Sequence, residues 1–186
     1  PSASNLMQLL VAIIDKEHLS SFADDLHLAS GIWIPKTRIN CSVRLHDSSV
    51  LEDLIKFGVH KEKTGKFIAP TIEDKFLPAF IRGWIDGDGN IYTKTRVRGK
   101  NSWLQVSASV VGNTDAMLWL QDKLINTFNF KNKIGMYHRY KNEKLSLSVL
   151  SVHSLEGIIQ LADIVKYKDT PRLDRKWNKI DTIKEY

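Results

Sequence analysis

The chain has 186 residues, 42% hydrophobic and 26% charged, with a net charge of +6 and a pI near 9.3, enough for one compact domain or two small ones that lean toward a polyanionic partner. The longest apolar run, Leu9 to Ile14, is far short of the ~20 residues of a membrane helix, so no membrane partner is expected. Cys41 is the only cysteine, which excludes a disulfide framework and a cysteine-based zinc site; with no secretory pattern in the opening Pro-Ser-Ala-Ser, an intracellular setting (cytoplasm or organelle matrix) is expected.

The first predicted element is a strand ending near Ala12, followed by the polar corner Asp15-Lys16-Glu17 and an amphipathic helix with Leu19, Phe22 and Leu26 on one side. Then Lys36, Arg38, Asn40, Ser42 and Arg44 alternate with Thr37, Ile39, Cys41 and Val43, the pattern of a strand with one basic face. Val50, Leu51, Leu54 and Ile55 mark the next helix.

A helix is predicted from Phe76, where Phe76, Phe80 and Trp84 lie four apart, as do Leu77, Ile81 and Ile85. Pro78 fits near its start, where the missing N–H costs nothing. Ala79, Gly83 and Gly87 form a second row of small residues, which lets another backbone approach closely. Asp86 and Asp88 sit at its C-terminal end and face the negative pole of the helix dipole. A divalent cation would resolve that conflict. An EF-hand loop is a poor match: Asp86, Asp88 and Asn90 fit its first, third and fifth positions, but its sixth would be Ile91 and its twelfth Val97.

Past the helix, Tyr92, Lys94, Arg96 and Arg98 alternate with Ile91, Thr93, Thr95 and Val97. Arg98-Gly99-Lys100-Asn101 supplies a turn, and the return strand sets Gln105, Ser107 and Ser109 against Leu104, Val106 and Ala108. Such a two-stranded ribbon fits the major groove of B-form DNA. The corner Asn113-Thr114-Asp115 opens another helix, and a third basic ribbon offers Tyr137, Arg139, Lys141 and Lys144 before a final strand and helix. One such ribbon could be a solvated sheet face; three, all rich in Lys, Arg and hydroxyls, point to nucleic acid. The six histidines have no paired metal-binding spacing.

The order of elements repeats. An offset of 98 pairs Leu6 with Leu104, Ala12 with Val110 and Leu26 with Leu124, and a second offset of about 104 pairs the following strand and helix. Subtracting the first offset from Asp88 (88 − 98 = −10) puts the counterpart of the acidic helix before Pro1. The repeat predicts a first-half motif that this sequence does not contain.

The segment Ile81-Arg-Gly-Trp-Ile-Asp-Gly-Asp-Gly89 closely resembles the signature helix of the LAGLIDADG (dodecapeptide) homing endonucleases, and the lead-in from Leu54 to Gly83 resembles the approach to their second motif copy. The resemblance covers nearly the whole chain and implies an α+β fold, a pseudo-repeat of αββαββα half-domains with antiparallel DNA-binding sheets. Residues 1–70 would be a first half-domain without its motif helix, and residues 71–186 a second one with that helix over 76–89. It further implies a site-specific endonuclease acting on double-stranded DNA with Mg²⁺ or Mn²⁺. Asp88 would be catalytic and hold the metal with the Gly87 carbonyl, while Ala79, Gly83 and Asp86 would serve helix pairing.

Asn113 and Asp15 fall at the corner where members often carry a polar residue that positions water. Lys144 and His153 fall where members often carry a basic residue near the scissile phosphate. The DNA-binding residues would be Tyr92, Lys94, Arg96, Arg98, Gln105 and Ser107 on one ribbon, Lys36, Arg38, Asn40 and Arg44 on another, and Tyr137, Arg139 and Lys141 on the third. A single motif implies a partner: a second motif-bearing polypeptide or a second copy of this chain. The competing reading is a non-cleaving nucleic-acid binder on the same scaffold, such as an intron RNA maturase or a DNA-binding regulator. An intein lacks support, because the sequence ends Lys-Glu-Tyr rather than His-Asn.

Overall fold

A computed structural model describes residues 7–28, 31–36, 39–57, 67–141, 146–166 and 171–184. The chain divides into two compact units, Pro1–Val59 and His60–Tyr186.

The first unit contains β1 (Met7–Ala12), a short 3-10 turn (Ile13–Asp15), α1 (Lys16–Asp25), β2 (Asn40–Leu45) and α2 (Ser48–Lys56). β1 and β2 pair antiparallel from Met7–Leu45 to Ala12–Asn40. Leu19 and Ala23 of α1 pack on Cys41 and Val43 to form a small core, bordered by Leu9, Val11 and Phe22. Burial pushes the Cys41 thiol above its ordinary range. Asp47 caps α2 by accepting from the amides of Ser49 and Val50 and from the Ser49 hydroxyl.

The basic alternation expected over residues 36–44 is only partly realised. The strand begins at Asn40, Lys36 stands in a turn short of it, and Arg38 lies outside the described residues. Ser42 is fully buried, because the backbone of Trp33 bridges it on both its N–H and C=O and Gln8 Nε2 donates to its hydroxyl at 2.7 Å. Arg44 stays exposed, with its guanidinium 5.8 Å over the Trp33 ring.

The second unit runs α3 (Leu77–Asp88), β3 (Gly89–Arg98), β4 (Asn101–Asn113), α4 (Thr114–Asp122), β5 (Ile134–Lys141), β6 (Ser146–Val152), α5 (Leu155–Ile164) and α6 (Asp174–Lys184). A 3-10 turn precedes α3, and a π turn over Lys123–Thr127 extends α4. The four strands form one antiparallel sheet in the order β3-β4-β6-β5. Gly99, with φ of +63°, takes the tight turn between β3 and β4. One sheet face, carrying Ile91, Val106, Ala108, Val110, Leu150 and Val152, is buried with Ile81 and Ile85 of α3, Leu120 of α4, Ile158 of α5 and Ile180 of α6. The element order is the αββαββα half-domain expected from the sequence, with one more helix.

The two units repeat with their helix starts at the spacing the sequence suggests, the N-caps Asp15 and Asn113 being 98 apart (113 − 15), but their strand pairing follows a longer one. The last β1–β2 pair is Ala12–Asn40 and the last β4–β6 pair is Asn113–Leu147. Aligning them gives offsets of 101 (113 − 12) and 107 (147 − 40), three more than 98 and 104. Side chains on a strand alternate faces, so an odd correction exchanges the inward and outward sets. At the new strand offset buried Val43 matches buried Leu150, while Leu19 of α1 finds a buried counterpart at either spacing, Met117 at 98 and Leu120 at 101. Among its described residues, the first unit has no counterpart of α3 or β3.

α3 presents different neighbours on each side. Leu77, Ile81 and Ile85 enter the core. Phe80 and Trp84 form an aromatic group with Trp119 of α4, with centroids 5.8–6.4 Å apart. Arg82 and Asp86 are buried on a third side. There, Asp86 accepts from the Leu173 amide at 3.1 Å and from Trp177 Nε1 at 2.6 Å. The ammonium of Lys176, also buried, donates to the carbonyls of Ile85, Asp86 and Gly89 at 2.6–2.9 Å. The Ile85 carbonyl also accepts from the Gly89 amide, and the positive charge at this end offsets the helix dipole. Burial pushes the Arg82 guanidinium below its ordinary range, opposed by the neighbouring Asp86 carboxylate.

Replacing Asp86 by Ala would leave two N–H groups without their acceptor beneath the end of α3. The expected loss is about 2–4 kcal/mol, read as a lower urea midpoint at unchanged slope. A loss below about 0.5 kcal/mol would mean that α6 does not secure the helix.

Candidate nucleic-acid interface and carboxylate centre

The outer face of the sheet follows from the register. Lys94 stands opposite Gln105, Tyr92 opposite Ser107 and Arg96 opposite Trp103, with Arg98 facing Asn101 at the tip. Opposed residues on paired strands share a face, so Tyr92, Lys94, Arg96, Arg98, Gln105 and Ser107 come together as the sequence predicts. Lys94, Arg96, Arg98 and Gln105 are exposed, and Tyr92 and Ser107 are half-buried. Arg96 Nε donates to Gln105 Oε1 at 2.7 Å, and its NH2 nitrogen lies 3.4 Å from the Tyr92 hydroxyl. Trp103, 50% exposed, belongs to this face as well. Sequence reasoning missed it, although its position two residues before Gln105 in an alternating strand was the available signal.

The third ribbon departs from expectation. Tyr137 pairs with Val149, but a bulge between His138 and Tyr140 shifts the register, so Tyr140 pairs with Leu147 and Lys141 with Ser146. One extra residue breaks the alternation that would have set Tyr137, Arg139 and Lys141 in a single row. Tyr137 and Tyr140, both exposed, share the outer face instead. His138 Nδ1 lies 3.0 Å from the Ser148 hydroxyl, which in turn meets Thr114 Oγ1 at 2.8 Å.

Asp88 ends α3 and is exposed. Gly89 follows with no intervening loop, and only glycine fits there, because a Cβ would stand 2.6 Å from the Ile85 carbonyl oxygen. The first outward pair of β3 begins a row across the whole sheet: Asn90 opposite Ser109, Ser109 opposite Ser151, Ser151 opposite Gly135. His153 Nε2 lies 3.0 Å from Ser151 Oγ and so joins this row. The strand following Asp88 and His153 are thus brought to one line of polar side chains. Asn113 lies four residues along β4 from Ser109, where its Oδ1 accepts from the Asp115 amide and caps α4. Asp15 is buried in the first unit, in the turn before α1. Lys144 lies outside the described residues.

Asp86, expected from sequence to cap paired helices, has its carboxylate turned into its own unit, since both oxygens accept from the α6 segment. Asp88 is therefore the carboxylate left outward. A Mg²⁺-like cation takes six oxygens, usually one or two carboxylates with waters and substrate phosphates completing the set, and the described residues hold no cluster of three or more His, Cys, Asp or Glu. Asp88 and the Gly87 carbonyl do not fit a complete cation site. They can supply only one edge of one.

In the row of small residues on α3, Ala79 is half-buried and the two glycines are open. Gly83 and Gly87 are exposed, and a Cβ at either would meet nothing within 4 Å among the described residues. Gly83→Ala should therefore stabilise the isolated chain by about 0.5–1 kcal/mol through helix propensity alone, measured by urea unfolding. Destabilisation would mean that this side is already covered.

No protein-family model and no curated protein matches the sequence. Solved structures do match. The LAGLIDADG meganuclease I-CpaMI bound to uncleaved DNA is 14% identical, with a TM-score of 0.58 over 97% of this chain and 81% of that one. The meganuclease I-SmaMI bound to uncleavable DNA is 13% identical, with a TM-score of 0.59 over 97% and 80%. The I-LtrWI LAGLIDADG homing endonuclease bound to target DNA is 11% identical, with a TM-score of 0.60 over 97% and 78%. The chain has the LAGLIDADG endonuclease fold.

Proposed function

We propose that this chain is the larger part of a site-specific double-strand DNA endonuclease, reading DNA with its basic sheet faces and contributing Asp88 to phosphodiester hydrolysis. The observation that carries the proposal is a continuity: the exposed carboxylate of α3 runs without a loop into the strand that presents Tyr92, Lys94, Arg96 and Arg98. A group anchored on the phosphate backbone by that strand is held in fixed relation to the carboxylate. The solved proteins of this fold are described with bound DNA, which supports the choice of partner.

The described residues hold no cluster of three or more metal-ligating side chains, so the proposal adds a second carboxylate-bearing helix end to Asp88. It would come from another polypeptide or from a second copy of the chain, docked on the small-residue row of Ala79, Gly83 and Gly87, where the two glycines are open. Mg²⁺ or Mn²⁺ is the class of cation such a completed site would hold. Within this chain, Asn90, Ser109 and His153 would line the floor beside Asp88 and donate hydrogen bonds to a phosphate, while Ser151 is buried between them with its hydroxyl on the Gly135 carbonyl. The isolated chain is then inactive and prone to association through α3.

The incomplete site also favours a second reading, a non-cleaving nucleic-acid binder such as a maturase or a regulator. Cleavage of a plasmid carrying a selected target, in Mg²⁺ and then in EDTA, with and without a second motif-bearing polypeptide, separates the two. Metal-dependent cutting supports the nuclease; tight binding without cutting under every condition supports the binder.

In the active assembly, Asp88→Asn should abolish cleavage while changing specific affinity less than about tenfold, since one group serves the chemistry and many contacts serve binding. Wild-type cutting by this variant would remove Asp88 from the mechanism.

Affinity should also fall steeply with salt, and Lys94→Ala should lower the slope of log K against log salt by about one unit. A salt-insensitive complex would dismiss the basic ribbon as the contact surface.

A further inference from the structure

We propose that Arg96 reads a guanine, and that Gln105 and Tyr92 read no base but hold its guanidinium for the task. The inference rests on the DNA-recognition reading above and refines it. Gln105 is diagonal to Arg96 across the β3–β4 pair, because Arg96 stands opposite Trp103 and Lys94 opposite Gln105. Diagonal neighbours lie within reach of long side chains. The Gln105 carbonyl accepts from Arg96 Nε at 2.7 Å, and the Tyr92 hydroxyl lies 3.4 Å from NH2.

A guanidinium carries five N–H donors in a fixed fork. Nε–H and one hydrogen of NH2 lie along one edge of the planar fork; Gln105 engages Nε–H, and NH2 lies by the Tyr92 hydroxyl. The other pair, one hydrogen from NH1 and the second from NH2, is parallel and matches the two acceptors O6 and N7 of guanine in the major groove. Arg96 and Gln105 are both exposed, so their bond has little to contribute to the core. Its effect is to order a long side chain before a partner arrives, which lowers the cost of ordering it on binding. Gln105 would by residue type be assigned an adenine. With its carbonyl engaged by Arg96, it loses half of the donor–acceptor pair that adenine needs.

The test selects bound duplexes from a library of randomised double-stranded DNA. It uses the chain (with its completing partner if binding requires one) and the variants Arg96→Ala, Gln105→Ala and the double substitution. Wild type should prefer G at one position. Arg96→Ala should relax that position by roughly five- to a hundredfold. Gln105→Ala should relax the same position to a smaller degree, and the double variant should match Arg96→Ala, since the second residue acts only through the first. Relaxation at a different position by Gln105→Ala, or additive losses in the double variant, would overturn the positioning role. A uniform loss for all sequences on Arg96→Ala would make Arg96 a phosphate contact and overturn the guanine assignment. A wild-type chain with no preferred duplex would overturn the DNA-recognition reading itself.

Discussion

The second unit depends on the way α6 grips the end of α3. A helix that passes straight into a strand has no turn in which to satisfy its last carbonyls, and a negative side chain at that end faces the negative pole of the dipole. Lys176 meets both needs by placing a buried ammonium on the oxygens of Ile85, Asp86 and Gly89. Trp177 and the Leu173 amide hold Asp86 beside it. A lysine is buried at little cost only when its donors are paired, and here three carbonyls pair them. With the pairing of Gly89 to Val110, this grip fixes the first residue of β3 and the carboxylate before it.

The sheet converts that fixed end into a working surface. Four antiparallel strands bury one face on helices and leave the other to Lys94, Arg96, Arg98, Trp103 and Tyr137. The two central strands give the sheet its row of small polar groups, and β6 is buried along most of its length. Large cationic groups are thereby concentrated toward the β3–β4 tip, while hydroxyls and an imidazole occupy the end near Asp88. Under the proposed function, that charge would attract a polyanion at the tip, and the shorter side chains would leave room at the other end for its backbone to approach.

Features set by local periodicity were legible in the sequence. The α3 stripe of Leu77, Ile81 and Ile85 and the alternation from Tyr92 to Ser107 were found because each depends on residues within one element or one hairpin. What was missed depends on distant or backbone events. The grip of Lys176 on Ile85 spans 91 positions. The burial of Ser42 comes from Trp33, whose bridging strand has no alternating pattern of its own. The bulge at Arg139 has no glycine or proline to announce it, so the third ribbon was read in the wrong phase. The repeat was legible in its order and in its helix starts, but its strands were matched three residues short, since few identities anchor it and apolar residues near strand ends can be matched to either face. Asp86 and Asp88 look equivalent in a row of glycines, and only the packing of α6 separates the inward from the outward one.

The absence of a loop between α3 and β3 has a metrical consequence. A strand advances ~3.3 Å per residue, so Arg96, eight residues past Asp88, stands at most about 26 Å from it along the backbone. Stacked base pairs advance ~3.4 Å each, so that span covers roughly eight of them. Under the proposed function β3 is a ruler with Asp88 as its zero mark. Nothing between the two ends can stretch, because a rigid strand replaces the flexible connector found at most helix ends. One inserted residue would do more than lengthen the ruler by a division: it would turn every side chain beyond it to the opposite face.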